Sequence, residues 1–394
     1  MQLLEGIIRD YDWGSTTSIP ELLGRPVDGT PAAELWFGAH PSAPSLVGCD
    51  GVALDALVAA DPAAALGEAV AAHFGSLPFL LKVLAAASPL SLQAHPSIPQ
   101  AEAGFAREDA AGIAVDAPNR SFRDRLHKPE LICALTEFDV LCGFRDPAAT
   151  LEGLATIAVT ALNTVRDMIE ADPSPAGLSN LLEWLLTLDA ADSAALAEPV
   201  VAACVIATEG PFAAERAMAA ALGARYPGDA GVVTALLLNF VTLQPGEALF
   251  LGSGNLHAYL QGTGVEIMAN SDNVLRGGFS SKHVDVPTLI DVVEAHPVVP
   301  EVQRPALING VATYDIPVPE FSLQRIEIDG ECVLEPGPAI LLCTKGHAEC
   351  GDHVLDRGSA AWTPASDGPL TLTGRATVFR AGVGLLPEIH AQKA

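Results

Sequence analysis

The chain has 394 residues, more than one ordinary hydrophobic core serves, so two or three structural units are expected. Nearly half of the residues (49%) are apolar and only 18% are charged, which excludes a disordered chain. Forty-eight acidic against 21 basic residues, a formal charge of −27, exclude nucleic acid and anionic membrane as natural partners, although a few convergent cations could still hold a small anion.

The opening stretch MQLLEGIIRDYDWG carries Glu5, Arg9, Asp10 and Asp12 early. It lacks the apolar segment and small-residue cleavage site of a secretory signal. Charges also interrupt every apolar run before it could span a bilayer. The seven cysteines are scattered, with no C-x-x-C pair, and read as reduced thiols of a cytoplasmic protein.

Residues 1–147 read as short strands and turns. LPFLLKVLAA (77–86) is an apolar strand with one charge, Lys82. In SLQAHPS (91–97), Gln93 and His95 are two residues apart, which on a strand is one face. HKPELICALTEFDVLCGF (127–144) reads as two successive strands, with Pro129 restricting what precedes it. From 147 to 225 the apolar spacing turns helical, with Leu151, Leu154, Ile157, Val165 and Met168 on one stripe, and the turn YPGD (226–229) closes the block. Strands return from about 231, where QPGE followed by GNLHAYL looks like a cupin hairpin. Residues 312–394 are short strands and turns throughout. The expected architecture is mainly β with a helical insertion. A cupin-type jelly roll combines 1–147 with 230–311, a helical domain covers 148–229, and a second jelly-roll unit covers 312–394.

Two constellations could carry chemistry. Gln93, His95, Glu130 and His257 offer two imidazoles and two oxygen donors, a borderline set that suits Zn²⁺ and tolerates other first-row divalent ions. The same residues read equally well as polar groups at strand ends. VEIMANSDNVLRGGFSSKHVDVP (265–287) packs Glu266, Asn270, Asp272, Asn273, Arg276, Lys282 and His283 into one region. It is a solvated loop unless it faces the metal's cavity. GSGNLHAYLQGTG is no phosphate loop, because it lacks G-K-[ST] and lies within a β-rich run.

The ordered set YDWGS, AELWFGAHPSAPS, SPLSLQAHPS, HKPELICAL, YPGDAGVVTALLLNF, GNLHAYL and GVEIMANSDNVLRGG resembles the type I phosphomannose isomerase family, from about residue 5 to 295. The resemblance implies an enzyme with one Zn²⁺ per chain; a monomer is expected, though nothing in the sequence itself fixes the oligomeric state. The enzyme would interconvert mannose 6-phosphate and fructose 6-phosphate in mannose metabolism and GDP-mannose supply. It implies Gln93, His95, Glu130 and His257 as metal ligands and Arg276 as a catalytic residue. Lys82, Lys128 and Lys282 would line the pocket. Trp13 and Asp272 would lie against the substrate. Lys82, Lys282 and Ser91 are the natural set for its phosphate. A permanently protonated Arg276 cannot be the base and is expected to stabilise negative oxygen. The base is expected to be Lys128 or His127, then Glu266, or a water on the metal.

Overall fold

A computed structural model describes residues 1–280 and 282–386. The last eight residues of the expected C-terminal unit, 387–394, lie outside this range. Two antiparallel sheets of ten and nine strands carry the fold, and a helical block leaves and re-enters the larger one.

The ten-stranded sheet is organised by one long strand, His257–Ala269. Its first residues pair with Phe138–Phe144, and His257 also pairs with Gln93 in the strand Leu92–Ala94. Its second half pairs with Phe79–Ala86 on one side and Glu130–Ala134 on the other. The change of partners falls at Gly262, whose φ of 130° is a conformation that side chains resist. One strand therefore belongs to two walls of a sandwich and ties their registers together.

Register decides which side chains share the concave face. Gln93 sits between His257 and Arg276 on adjacent strands. In the other wall Glu266 faces Lys82, which faces Trp36 in Glu34–Gly38, while Met268 faces Glu130. Partners in an antiparallel ladder point the same way, so each row delivers its polar groups to one side.

The nine-stranded sheet is built on the long strands Ser322–Leu334, Ala339–Cys350 and Leu370–Gly382. It also takes in the N-terminal strand Gln2–Glu5, which pairs with Ala360–Thr363 and with Leu46–Val47. The sheet thus draws on residues from the first 147, which sequence patterning groups with the other unit. Pairing covers edges that would otherwise be open. Leu35, Phe37, Leu81 and Val83 of the larger sheet share one core with Ile340, Leu342, Trp362 and Phe379 of this one.

The insertion is helical as its spacing predicts, from Pro147–Ala155 to Ala213–Arg225. Several helices lie where strands and turns are expected, Ile98–Ala110 and Gly231–Leu236 among them. Ile98–Ala110 is set up by a capping box, in which the Gln100 side chain accepts from the Ser97 backbone N–H at 2.9 Å. Gly231–Leu236 (GVVTAL) is helical despite its β-branched residues, because every one of its side chains is buried and packing overrides a weak local preference. The seven cysteines are free thiols. Among the described residues, no helix is long and apolar enough to cross a membrane.

Candidate active site

Three of the four candidate metal ligands meet in the interior. His95, Glu130 and His257 are buried and place a ligand atom each within 4.8 Å of one another. His95 follows the short strand Leu92–Ala94, Glu130 opens its strand, and His257 opens the long one. His95 Nε2 lies 3.4 Å from Glu130 Oε1, and His257 Nε2 lies 3.5 Å from Glu130 Oε2. Gln93 brings its amide to 3.5 Å from His257 Nε2.

The backbone sets the tautomers. His95 Nδ1 donates to the Asn273 carbonyl at 2.7 Å, and His257 Nδ1 donates to the Asn255 carbonyl at 2.9 Å. Both Nε2 atoms are thereby left as lone pairs aimed at a carboxylate. Two lone pairs and an anion facing one another in a dry site repel. His95 Nε2 and Glu130 Oε2 are indeed buried without a hydrogen-bond partner. A divalent cation resolves this repulsion, so the donor set fits a metal on its own chemistry.

Electrostatics around the ligands point the same way. Burial, assisted by Lys128, pushes the His95 imidazole down to about 4, so it is neutral at pH 7. Burial alone would raise the Glu130 carboxyl, but the Lys128 ammonium outweighs it and holds the group well below the usual carboxylate range. Lys128 Nζ donates to Glu130 Oε1 at 2.6 Å.

A cavity of about 1220 Å³ opens above these groups. Its wall includes Trp13, Lys82, Ser91, Gln93, Lys128, Asp272, Arg276, Lys282 and His283, nine of the residues singled out in the sequence. The two constellations therefore face one space. Two of the candidate catalytic residues are placed elsewhere. Glu266 is 2% exposed and lies beneath Lys82 rather than on the wall. His127 Nε2 lies 2.7 Å from Glu320 Oε1, toward the nine-stranded sheet, because its neighbour Lys128 takes the inward side of the extended chain.

Lys82 is the only charge in its strand and is almost fully buried. It lies 3.0 Å from Glu266 Oε2 and 3.6 Å from Glu34 Oε1, and its Nζ sits 5.3 Å from the centre of the Trp36 ring. Trp36 Nε1 in turn donates to Glu34 Oε2 at 2.6 Å. Burial would lower the Lys82 amine, but Glu266 and Glu34 reverse this and raise it above its ordinary value. Burial raises the Glu266 carboxyl against the pull of Lys82.

Sequence reasoning missed Glu34, Trp36 and His40, which also line the cavity. Their signal was present. In ELWFGAH the polar and aromatic residues at 34 and 36 alternate with buried apolar ones, and His40 follows the strand end. His40 lies 3.6 Å from Asp272, and burial lowers its imidazole although Asp272 opposes this. Arg123, also on the wall, sits in a loop with no periodicity to reveal it.

Residues 1–147 match the family model for phosphomannose isomerase type I, catalytic domain. The mannose-6-phosphate isomerase of Escherichia coli (strain K12) is 39% identical, the match covering 96% of this chain and 99% of that protein. Mannose-6-phosphate isomerase 1 of Arabidopsis thaliana is 30% identical, over 95% of this chain and 92% of that protein. A crystal structure of a phosphomannose isomerase mutant from Salmonella typhimurium superposes with a TM-score of 0.91 at 36% identity, covering 98% of this chain and all of that one. A zinc-bound mannose 6-phosphate isomerase superposes at 0.89, also at 36% identity, covering 98% of this chain and 99% of that one. A shared fold, near-complete mutual coverage and identities of 30% or more agree that this chain belongs to the type I phosphomannose isomerase family.

Proposed function

We propose that the protein interconverts mannose 6-phosphate and fructose 6-phosphate, with one Zn²⁺ held by Gln93, His95, Glu130 and His257. The observation that carries this reading is the convergence of His95, Glu130 and His257, with His95 Nε2 and Glu130 Oε2 unpartnered, beside a cavity that Gln93, Lys128 and Arg276 line. The reaction moves a proton between carbons 1 and 2 through a cis-enediol, so negative charge develops on a substrate oxygen. A Zn²⁺ at this site supplies Lewis-acid stabilisation of that charge.

The remaining work falls to side chains. Lys128, buried in the cavity wall beside Glu130, is the group we assign to carry the proton. Glu34 and Glu266 hold Lys82 protonated, which keeps a fixed positive charge on the wall. Lys82, Lys282 and Ser91 receive the phosphate as charge-assisted or hydroxyl donors, and Arg276 stabilises negative oxygen on the substrate. Trp13 and Asp272 border the sugar. The division into a catalytic unit, a helical insertion and a supporting C-terminal unit belongs to the same proposal. So does a place at the supply of mannose 6-phosphate for GDP-mannose.

The test is a coupled assay on the zinc-loaded protein. Mannose 6-phosphate is expected to yield fructose 6-phosphate, and a chelator is expected to abolish turnover until zinc is restored. No turnover by the fully zinc-loaded protein would overturn the reading. His257→Ala is expected to lower bound zinc by mass spectrometry, and zinc retained at the wild-type ratio would remove His257 from the ligand set.

A further inference from the structure

The cavity's cations fall into two kinds. Lys82, Arg120 and Lys128 arrive with carboxylate partners. Arg123, Arg225, Arg276 and Lys282 do not: among the described residues, no carboxylate lies within salt-bridge distance of their side chains. Arg123, Arg225 and Lys282 are exposed and Arg276 is half-buried, so four cations with no carboxylate partner gather positive charge on one cavity wall of a chain whose formal charge is −27. Arg123 and Arg276 line the same cavity, and burial, with the positive charge of Arg123 added, lowers the Arg276 guanidinium.

Arg123 sits in a loop, yet its backbone is fixed. The fully buried Asn273 accepts from the Arg123 N–H at 2.7 Å and from the Asp124 N–H at 3.2 Å through one oxygen. Its Nδ2 donates to the Asp124 and Leu126 carbonyls at 3.0 and 2.8 Å. Asp124 answers by accepting from Ser271 Oγ at 2.9 Å and from the Asp272 N–H at 2.8 Å. The Asn273 carbonyl is also the acceptor for His95 Nδ1. One buried asparagine thus holds a metal-ligand candidate through its main chain and the Arg123 loop through its side chain. Arg276 is three residues further along the same segment. Such a clamp fixes the spacing between the metal end of the cavity and its cationic end.

We infer that Arg123 is a further substrate-binding residue, a phosphate donor beside Arg276, positioned relative to the metal by the Asp124–Asn273 clamp. This rests on the phosphosugar reading above and deepens it. A guanidinium fits a phosphate through two parallel N–H donors, which an ammonium cannot match.

The test combines calorimetry with kinetics on the zinc-loaded protein. Inorganic phosphate is titrated into wild type, Arg123→Ala and Arg123→Lys, a measurement that needs no turnover. Arg123→Ala is expected to weaken phosphate binding about tenfold, and to raise KM for mannose 6-phosphate by a similar factor. The value of kcat is expected to stay within about threefold and bound zinc at the wild-type ratio. Arg123→Lys is expected to recover part of the loss. Phosphate affinity within twofold of wild type in Arg123→Ala would overturn the inference, since phosphate would then be held by the metal or by other cations. A wild-type protein that binds phosphate through Arg123 but does not isomerise mannose 6-phosphate would sink the proposed reaction and leave the anion site standing.

Discussion

At the scale of single residues, the site is a set of buried charges that tolerate burial only together. Lys82 shows the arithmetic. Its strand, FLLKVLAA, is buried on both faces, and an isolated ammonium there would be far too costly. Glu266 and Glu34 offset that cost, and the three become mutually dependent. Lys82→Met is therefore expected to destabilise by about 3–5 kcal/mol near pH 8, by stranding two carboxylates. The sign of its pH dependence follows from Glu266. Burial already raises that carboxyl, and losing Lys82 raises it further. The folded state then takes its proton at higher pH than the unfolded chain. Stability is fully present below the ordinary carboxyl range, about pH 4, and is lost as pH rises through the folded value. Urea unfolding of Lys82→Met is expected to show a smaller loss at pH 5 than at pH 8; an equal loss at both would mean Glu266 does not respond. Lys128 is expected to behave differently. Lys128→Met is expected to lower kcat by about two orders of magnitude or more while zinc remains bound, read from turnover and metal content on one sample.

At the scale of elements, one strand does the positioning. His257 lies at one end of His257–Ala269 and Glu266 near the other, and the change of sheet between them depends on Gly262. A Cβ there would come within 2.6 Å of the Glu137 carbonyl oxygen, on top of the unfavourable φ. Gly262→Ala is expected to cost about 2 kcal/mol or more in urea unfolding, and to lower zinc occupancy by shifting His257 relative to Glu130. A fully stable, zinc-replete variant would show that the bend can be made without glycine. The helix Ile98–Ala110 follows His95 by two residues, so its capping box also steadies that ligand's segment. Gln100→Ala is expected to cost about 1 kcal/mol.

At the scale of the whole molecule, the two sheets are not separable. Trp362 and Phe379 of one share a core with Phe37 and Leu81 of the other, and the N-terminal strand is built into the C-terminal sheet. His127 and Glu320 add a polar contact between a loop beside the metal site and the segment leading into that sheet. Both sheets are therefore expected to unfold in one transition. Hydrogen exchange in rising urea is expected to give the same opening free energy for slow amides in Phe79–Ala86 and in Leu370–Gly382. Distinct values for the two would show that the C-terminal sheet opens on its own.

Much of this protein was legible in its sequence for a local reason. The helical block declared itself by period, the strands by apolar runs bounded by turns, and the metal candidates by residue type and by likeness to a family. Gln93 and His95 needed only the two-residue repeat of a strand to share a face. What the sequence alone could not decide was any relation between residues far apart along the chain. The register that sets Gln93 between His257 and Arg276 belongs to the ladder, and local propensity carries no trace of it. The commitment of Lys82 to two carboxylates, the outward turn of His127 and the asparagine clamp behind Arg123 arise only once strands pair and loops close over them. Burial gives these contacts their strength, because desolvation makes a partner obligatory, and burial is a property of the packed molecule.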